Sequence, residues 1–386
     1  PSVQVRGRAV AVNAELIQAA AAATLGGQFG MSDSFLVAQY GAETMTAAAA
    51  IRGLGLRDTI QAAARIDGVE LGAFSMGAGD WMRAAFSTIS VPDILSNLAN
   101  KSLLAGRTMT EGTWERICSI SSNVNFKKHT RLRLNARMKY ERVNAQGELK
   151  DVGKVGSEKY ETQLDTYGLT FGINRQLLID DDMGAFAQLP NALGIGSVEA
   201  INEELYKQWL ANSGSFFGSG NANLLTSTAL VDFSSLDAAE PIFKKLKDSL
   251  GNRLRINPAI LFVPTALEAT ARNILFSQFI NQVPASNAAG PMSNPAFNRY
   301  RLESSTYLDD EDFAEANGVT ESATAWYLLA DPNITACYDV AFLNGQRLPT
   351  IQRNDSVGPV LGISWNCYHD FGIAQNDPKA GVKVTA

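Results

Sequence analysis

The stretch KKHTRLRLNARMKY (residues 127–140) decides how this chain is read. Arginine and leucine alternate through Arg131, Leu132, Arg133 and Leu134, the two-residue period of a half-exposed β-strand. Asn144, Ala145, Gln146 and Gly147 then supply turn chemistry. Residues 148–161 are polar, contain Gly153 and Gly156, and offer no apolar side to bury. DTYGLTFGIN (165–174) alternates again and is rich in β-formers. The expectation is two strands, 127–140 and 165–174, flanking a long charged tip. Pattern alone leaves an ordinary surface hairpin open. Length favours a protruding one with a role, because connections beyond roughly 12–15 residues without structure of their own are usually functional or disordered.

A long helix is expected next, over 182–212. Asp180, Asp181 and Asp182 place three carboxylates at its start, where the helix dipole favours negative charge. A metal site is the other reading of three clustered aspartates; helix-start electrostatics is the simpler one. Pro190 and Gly194 are expected to interrupt the first part. Beyond them Val198, Ile201, Leu205 and Trp209 fall three or four apart, with Glu199, Glu203, Glu204 and Lys207 on the other side.

On the N-terminal side, Trp114, Ile117 and Ile120 are expected to share a helix face, capped by Thr110 or Thr113. On the C-terminal side the pattern changes to alternating β and α after the Gly/Ser stretch at 213–220. Leu236, Ile242, Phe243, Leu246 and Leu250 form an apolar stripe on a helix that ends at Gly251, and Pro241 fits it only if the helix starts near Ala239. Residues 260–263 read as a buried strand, followed by a helix capped by Thr265. Residues 280–300 read as a loop. Strands are expected at 300–307, 325–330 and 341–352, with the acidic run 309–312 as a solvated loop. The tail, 363–384, alternates and is expected to return to the sheet beside the long helix.

The bounds are consistent with two or three domains and a sizeable core in 386 residues. Hydrophobic residues make up 46% and charged residues 19%, which places the chain among globular proteins. A net charge of −6 argues against a strongly basic nucleic-acid binder. Cys118, Cys337 and Cys367 are far apart with no CxxC, against a disulfide framework or zinc site and in keeping with a reducing cytoplasm. His129 and His369 are the only histidines, too few for most His-based catalysis or metal binding. No apolar run is long enough to span a membrane. There is no GxSxG, HExxH or GxGxxG, and Gly147 to Lys154 lacks the spacing and Ser/Thr of a phosphate loop. No catalytic, cofactor-binding or metal-ligating residue is therefore expected, and no cofactor.

Three runs carry a family resemblance: Asp165-Thr166-Tyr167-Gly168, Phe171-Gly172-Ile173-Asn174-Arg175-Gln176 and Asp181-Asp182-Met183-Gly184-Ala185-Phe186. Residues 83–88, 95–104 and 258–267 add to it. In order and spacing they resemble the major capsid proteins of tailed phages with the Hong Kong 97-like fold, closest to the capsid part of prohead protease/major capsid protein fusions. The resemblance covers roughly residues 83–386. It implies an α+β fold with an N-terminal arm (1–108), an extended hairpin loop (125–175) and an axial domain (214–350). A peripheral domain with a spine helix would be formed by 109–124, 176–213 and 351–386. It also implies a homo-oligomer of pentamers and hexamers closing into an icosahedral shell around DNA, without sequence-specific DNA binding or a membrane. Decoration, portal, scaffold or protease proteins are its candidate partners, and the virion, with the host cytoplasm during assembly, its location. A start at Pro1 leaves two readings open, a removed initiator or cleaved upstream protein; the resemblance to the protease fusions implies the second, with Pro1 as a maturation scar.

The residues themselves fill in this outline. The Ala/Gly-rich start has no compact core; Val10, Val12, Leu16 and Ile17 are expected in one short helix and residues 60–66 in another. That texture suits an arm laid across a neighbour, or a remnant linker. On the hairpin, Lys139, Arg142, Lys150 and Lys154 are expected to meet acidic patches of the next subunit. The alternatives are an encapsulin-type nanocompartment shell, told apart by its protein cargo, and an α/β-domain hydrolase at 214–350.

Overall fold

The computed structural model describes residues 2–5, 8–11, 33–42, 44–46, 90–110, 112–135, 143, 156–174, 183–248, 251–280, 292–354 and 362–386. The fold is mixed α+β. Its strands begin with β1 (Ser2–Val5), β2 (Arg8–Ala11), β3 (Ser119–Asn123), β4 (His129–Asn135), β5 (Gly156–Thr162) and β6 (Asp165–Asn174). They continue with β7 (Leu224–Leu225), β8 (Pro258–Pro264), β9 (Phe279–Ile280), β10 (Met292–Ser293) and β11 (Arg301–Ser305). The last are β12 (Trp326–Ala330), β13 (Tyr338–Leu343), β14 (Thr350–Asn354), β15 (Gly362–Gln375) and β16 (Gly381–Val384). The helices are α1 (Asp33–Tyr40), α2 (Ser90–Met109), α3 (Trp114–Ile117), α4 (Met183–Ala211), α5 (Phe233–Lys244), α6 (Thr265–Phe276) and α7 (Glu311–Asn317). The chain divides into two compact units, one of residues 1–111, 166–199 and 348–369, the other of 112–165, 200–347 and 370–386.

In the first unit, β14 pairs antiparallel with the first half of β15, which also receives β6. Phe171 on β6 stacks on Trp365 with ring centroids 5.4 Å apart. Here α2 and the first half of α4 cross at backbone distance. A Cβ added at Gly194 would lie 2.1 Å from the Leu103 carbonyl oxygen, and one added at Gly106 would lie 2.1 Å from that of Asn191. Only hydrogen fits at either position.

The second unit is built on the sheet β11-β8-β12-β16-β7. β8 pairs in parallel with β11 and antiparallel with β12; β16 pairs antiparallel with β12 and in parallel with β7. β8 and β12 are buried along most of their length, as their apolar runs IL-FV and WYLLA require. Trp209, at the end of α4, is the centre of the core. Its ring stacks on Tyr338 at 4.9 Å and meets Phe262 and Tyr327 edge-on at 5.5 and 5.4 Å. A smaller ladder joins β3 in parallel to β13, and β13 antiparallel to the second half of β15.

Several expectations hold. Val198, Ile201, Leu205 and Trp209 are all buried on α4, with Glu199, Glu203 and Lys207 exposed. The tail does return beside the long helix: Gln208 Nε2 donates to the Ile373 carbonyl at 3.2 Å, and β16 enters the main sheet. All three cysteines are buried and free.

Other expectations are corrected. The return strand of the hairpin is β5, from the stretch read as its tip; β6 instead joins β15. β5 is wholly polar, so no apolar period marks it. Pro190 and Gly194 do not interrupt α4. A proline inside a helix loses one hydrogen bond and clashes with the preceding turn, but the close packing of α2 on this segment holds the helix through it. Ile120 is not on a helix face: α3 is one turn, and β3 follows. Thr113 Oγ1 does not cap it but lies 2.7 Å from the Tyr206 hydroxyl. α5 starts at Phe233, capped by Asp232, so Pro241 falls inside it, and it ends at Lys244. Thr265 is the first residue of α6, not a side-chain cap; Asp309 Oδ2 instead accepts from the Ala266 N–H at 2.8 Å. The acidic run is not a plain loop, since Asp310 caps α7 through the Phe313 N–H. The strand expected over 341–352 is two strands, split by a turn with positive φ at Asn344 and Gly345. Val10 lies in a β-strand; residues 12–32, 47–89, 175–182 and 281–291, with the expectations placed on them, lie outside the described residues.

Two predictions follow from this packing. Gly194→Ala is expected to destabilise the chain by roughly 1–3 kcal/mol through overpacking. Gly196→Ala, two residues along where a Cβ meets nothing within 4 Å, is expected to stabilise it by up to about 1 kcal/mol. Chemical denaturation of the two variants checks the opposite signs; equal signs contradict the backbone contact. Burial raises the thiol pKa of Cys118 and Cys337, and pushes that of Cys367 up to about 11. A thiol reagent at pH 8 is therefore expected to label none of the three rapidly in the native chain and all three in denaturant.

Candidate functional site

The feature with the least reason to exist in a self-contained protein is the β4–β5 pair. It is a two-stranded ribbon with no third strand among the described residues, and such a ribbon is marginal in water on its own. The register runs from His129 opposite Thr162 to Asn135 opposite Gly156. One face holds Arg131 and Arg133 across from Tyr160 and Glu158. The other holds Thr130 and Leu132 across from Glu161 and Lys159. The alternation seen in the sequence is real: the arginines face the body, and Leu132 is 58% exposed.

The arginines turn inward because carboxylates wait for them. Asp339, on β13, is almost fully buried. Its Oδ1 accepts from Arg131 Nη1 at 3.1 Å and Ser119 Oγ at 2.6 Å, and its Oδ2 accepts from Ser121 Oγ at 2.5 Å. Asp377 is also buried; it accepts from the Lys379 N–H at 2.9 Å and from Arg133, whose other nitrogen bonds Glu158. Tyr160 Oη donates to Glu158 at 2.8 Å, and burial together with that carboxylate raises its pKa. A buried carboxylate without such partners is strongly disfavoured, so these pairs fix where the ribbon leaves the body.

A third anchor is steric. Just past β5, Leu164 is buried, and a Cβ at Gly372 would lie 1.9 Å from the Gln163 carbonyl oxygen. Glycine at 372 lets the exit of the ribbon lie flat on β15. The result is a stiffened stem with exposed apolar residues at its base: Val124 (70%) and Phe126 (45%) as well as Leu132.

Lys139, Arg142, Lys150 and Lys154, expected to make the contacts, lie outside the described residues. The stem residues Asp339 and Asp377 were missed in the sequence. One signal was available: a lone aspartate inside the apolar strand YDVAFL needs a buried partner. Chemically the arrangement offers rigidity and contact. Among the described residues no group of three or more His, Cys, Asp or Glu could hold a metal, and no helix is long and apolar enough to cross a membrane.

Known proteins can be compared with this geometry. Among solved structures, a Microbacterium phage Oxtober96 chain is similar at TM-score 0.45 and 9% identity, covering 72% of this chain and 91% of that one. A Mycobacterium phage Ogopogo chain is similar at 0.44 and 11%, covering 71% and 91%. The virus-like particle from Pyrococcus furiosus is similar at 0.44 and 11%, covering 74% and 97%. No curated protein matches the chain in sequence. The model of the phage capsid protein family, in contrast, matches residues 158–384, more than half of the sequence and including most of β5, α4 and the main sheet. The chain belongs to the phage capsid protein family.

Proposed function

We propose that the chain is the major capsid subunit of a tailed phage, built on the Hong Kong 97-like plan, and that it assembles through pentamers and hexamers into an icosahedral shell around DNA. The family match carries this reading. The clamped β4–β5 stem supports it, because a stiff ribbon has a use when it grips a neighbour. On this proposal residues 125–175 are the loop that reaches over the adjacent subunit, and 214–350 the axial domain. Residues 109–124, 176–213 and 351–386 form the peripheral domain, and 1–108 an arm. The kinship with capsid proteins encoded behind a prohead protease rests on the runs around 165–186.

The contacts are heterologous, each subunit offering one patch to a different patch on the next, so that rotation closes rings. Individually weak contacts add up across many copies. The net charge of −6 gives the shell no general grip on DNA, which suits a container that must let its contents pack. Portal, scaffold, decoration or protease proteins complete the particle.

Size-exclusion chromatography with light scattering, followed by negative-stain microscopy, tests the proposal. Megadalton closed shells, or discrete hexamers and pentamers, are expected. A chain that stays monomeric or dimeric across salt and crowding conditions overturns it. Shells that enclose protein cargo and no nucleic acid point instead to a nanocompartment. Reversing Arg142, Lys150 and Lys154 to Glu together is expected to leave circular dichroism unchanged and abolish particles; normal particles refute the charged contact.

A further inference from the structure

We propose that the turn joining α5 to β8 carries a phosphate-contacting surface, built on Lys247 and Arg253, that holds the backbone of duplex DNA without reading its sequence. The choice of DNA among phosphate polymers rests on the capsid reading above; the affinity for a chain of phosphates does not.

Composition singles out this turn. Residues 241–258 hold Lys244, Lys245, Lys247, Arg253 and Arg255 against one acid, Asp248, in a chain whose net charge is −6. Lys244 pairs with Glu240. Lys245, Lys247, Arg253 and Arg255 are all exposed, and none of them pairs with a carboxylate among the described residues. Elsewhere in the second unit Arg116, Arg131, Arg133, Arg272, Arg299 and Arg301 each face one.

Geometry puts two of the cations together. Lys247 and Arg253 are antiparallel partners. The Asp248 N–H donates to the Asn252 carbonyl at 2.9 Å, and the Leu254 N–H donates to the Leu246 carbonyl at 3.2 Å. These bonds flank the pair and do not join it. It is therefore the close kind of pair, with Cα atoms about 4.5 Å apart and both side chains on one face. Alternation sends the neighbours the other way: Leu246 is buried and Leu254 packs on the core. The two cations leave the outer face of a turn pinned from beneath. Asp248 closes the turn instead of neutralising them, its carboxylate accepting from the Asn252 N–H at 2.7 Å and Nδ2 at 2.9 Å. Residues 249–250 lie outside the described residues.

Two features of this turn oppose folding. Like charges directly opposite each other on paired strands are destabilising. Arg255 has a φ of 54°, a left-handed conformation that glycine adopts without strain and arginine does not. Neither feature contributes to the core. An anion seated over Lys247 and Arg253 turns their repulsion into attraction, so the pair has a use when negative charge is bound.

The chemistry of the partner follows from what the surface has and lacks. A single carboxylate answers one cation, whereas a row of phosphates answers several, and the arginine fork matches phosphate in bidentate fashion. Phe243 is the one aromatic residue in 241–258 and is buried, so unpaired bases find no stacking platform. The outer phosphates of a duplex, contacted in any register, fit what remains. With the chain as a whole negative, the contact stays local and each copy holds DNA weakly. The grip then adds over many copies without locking the polymer.

The test is fluorescence anisotropy of a short labelled duplex of random sequence, titrated with the full chain kept below its assembly concentration. Wild type is expected to bind A·T-rich and G·C-rich duplexes equally, with an affinity that falls steeply as salt rises. Lys247→Gln and Arg253→Gln together are expected to lower the slope of log affinity against log salt by about 2 and the low-salt affinity by about tenfold or more. Circular dichroism is expected to be unchanged, and the melting temperature of the double variant to match or exceed that of wild type, because the like-charge pair is gone. Unchanged binding and salt slope in the double variant overturn the inference. A lower melting temperature also overturns it, since the pair then serves the fold. Tighter binding of poly-glutamate than of duplex overturns it in favour of an acidic protein. The capsid reading is judged separately by shell formation: it stands if the wild type forms shells whatever this turn binds, and falls without them even if the duplex binds here.

Discussion

Arg131 against Asp339 is the interaction on which the placement of the β4–β5 ribbon depends. A carboxylate buried in a β-strand is tolerated only with donors around it. Asp339 has two serine hydroxyls from β3 and a guanidinium from β4. The serines come from the strand next to it in the same ladder, so the acceptor is held in place before the ribbon arrives. The ribbon then has one low-energy seat. Arg133 on Asp377 repeats the device two residues further, and Gly372 lets the returning chain lie against the body. Buried ion pairs add little net stability over apolar packing, but they are specific about geometry, and here they specify where the ribbon sits.

The same chemistry recurs elsewhere in the second unit. Glu303 is buried between Arg116 and Arg301, and Glu240 accepts from Arg299 and Tyr300. Each joins segments distant in sequence.

How much of this was legible in the sequence depends on which force places each element. The second half of α4 was legible because burial places it: Val198, Ile201, Leu205 and Trp209 mark one face. β8 and β12 were legible as apolar runs. β5 was not, because GSEKYET has no apolar side; its inward positions are filled by Glu158 and Tyr160, whose partners lie elsewhere in the chain. Arg131 and Arg133 were legible only as one half of a two-residue alternation, since pattern cannot see Asp339 more than two hundred residues away. The continuity of α4 through Pro190 was hidden for a similar reason, being fixed by the glycine contacts with α2. Local rules failed where a long-range contact outweighed them.

Amide hydrogen exchange on the Asp339→Asn variant tests the central claim most directly. Asparagine keeps the size of the side chain and one acceptor oxygen, with its amide nitrogen able to donate to the other serine hydroxyl, while removing the charge that holds Arg131. Protection is expected to fall by about tenfold or more in residues 129–135 and 156–162, the equivalent of roughly 1.4 kcal/mol of anchoring, while β8 and β12 keep theirs. Unchanged protection in the ribbon would contradict the account, because its seat would then owe nothing to the buried carboxylate.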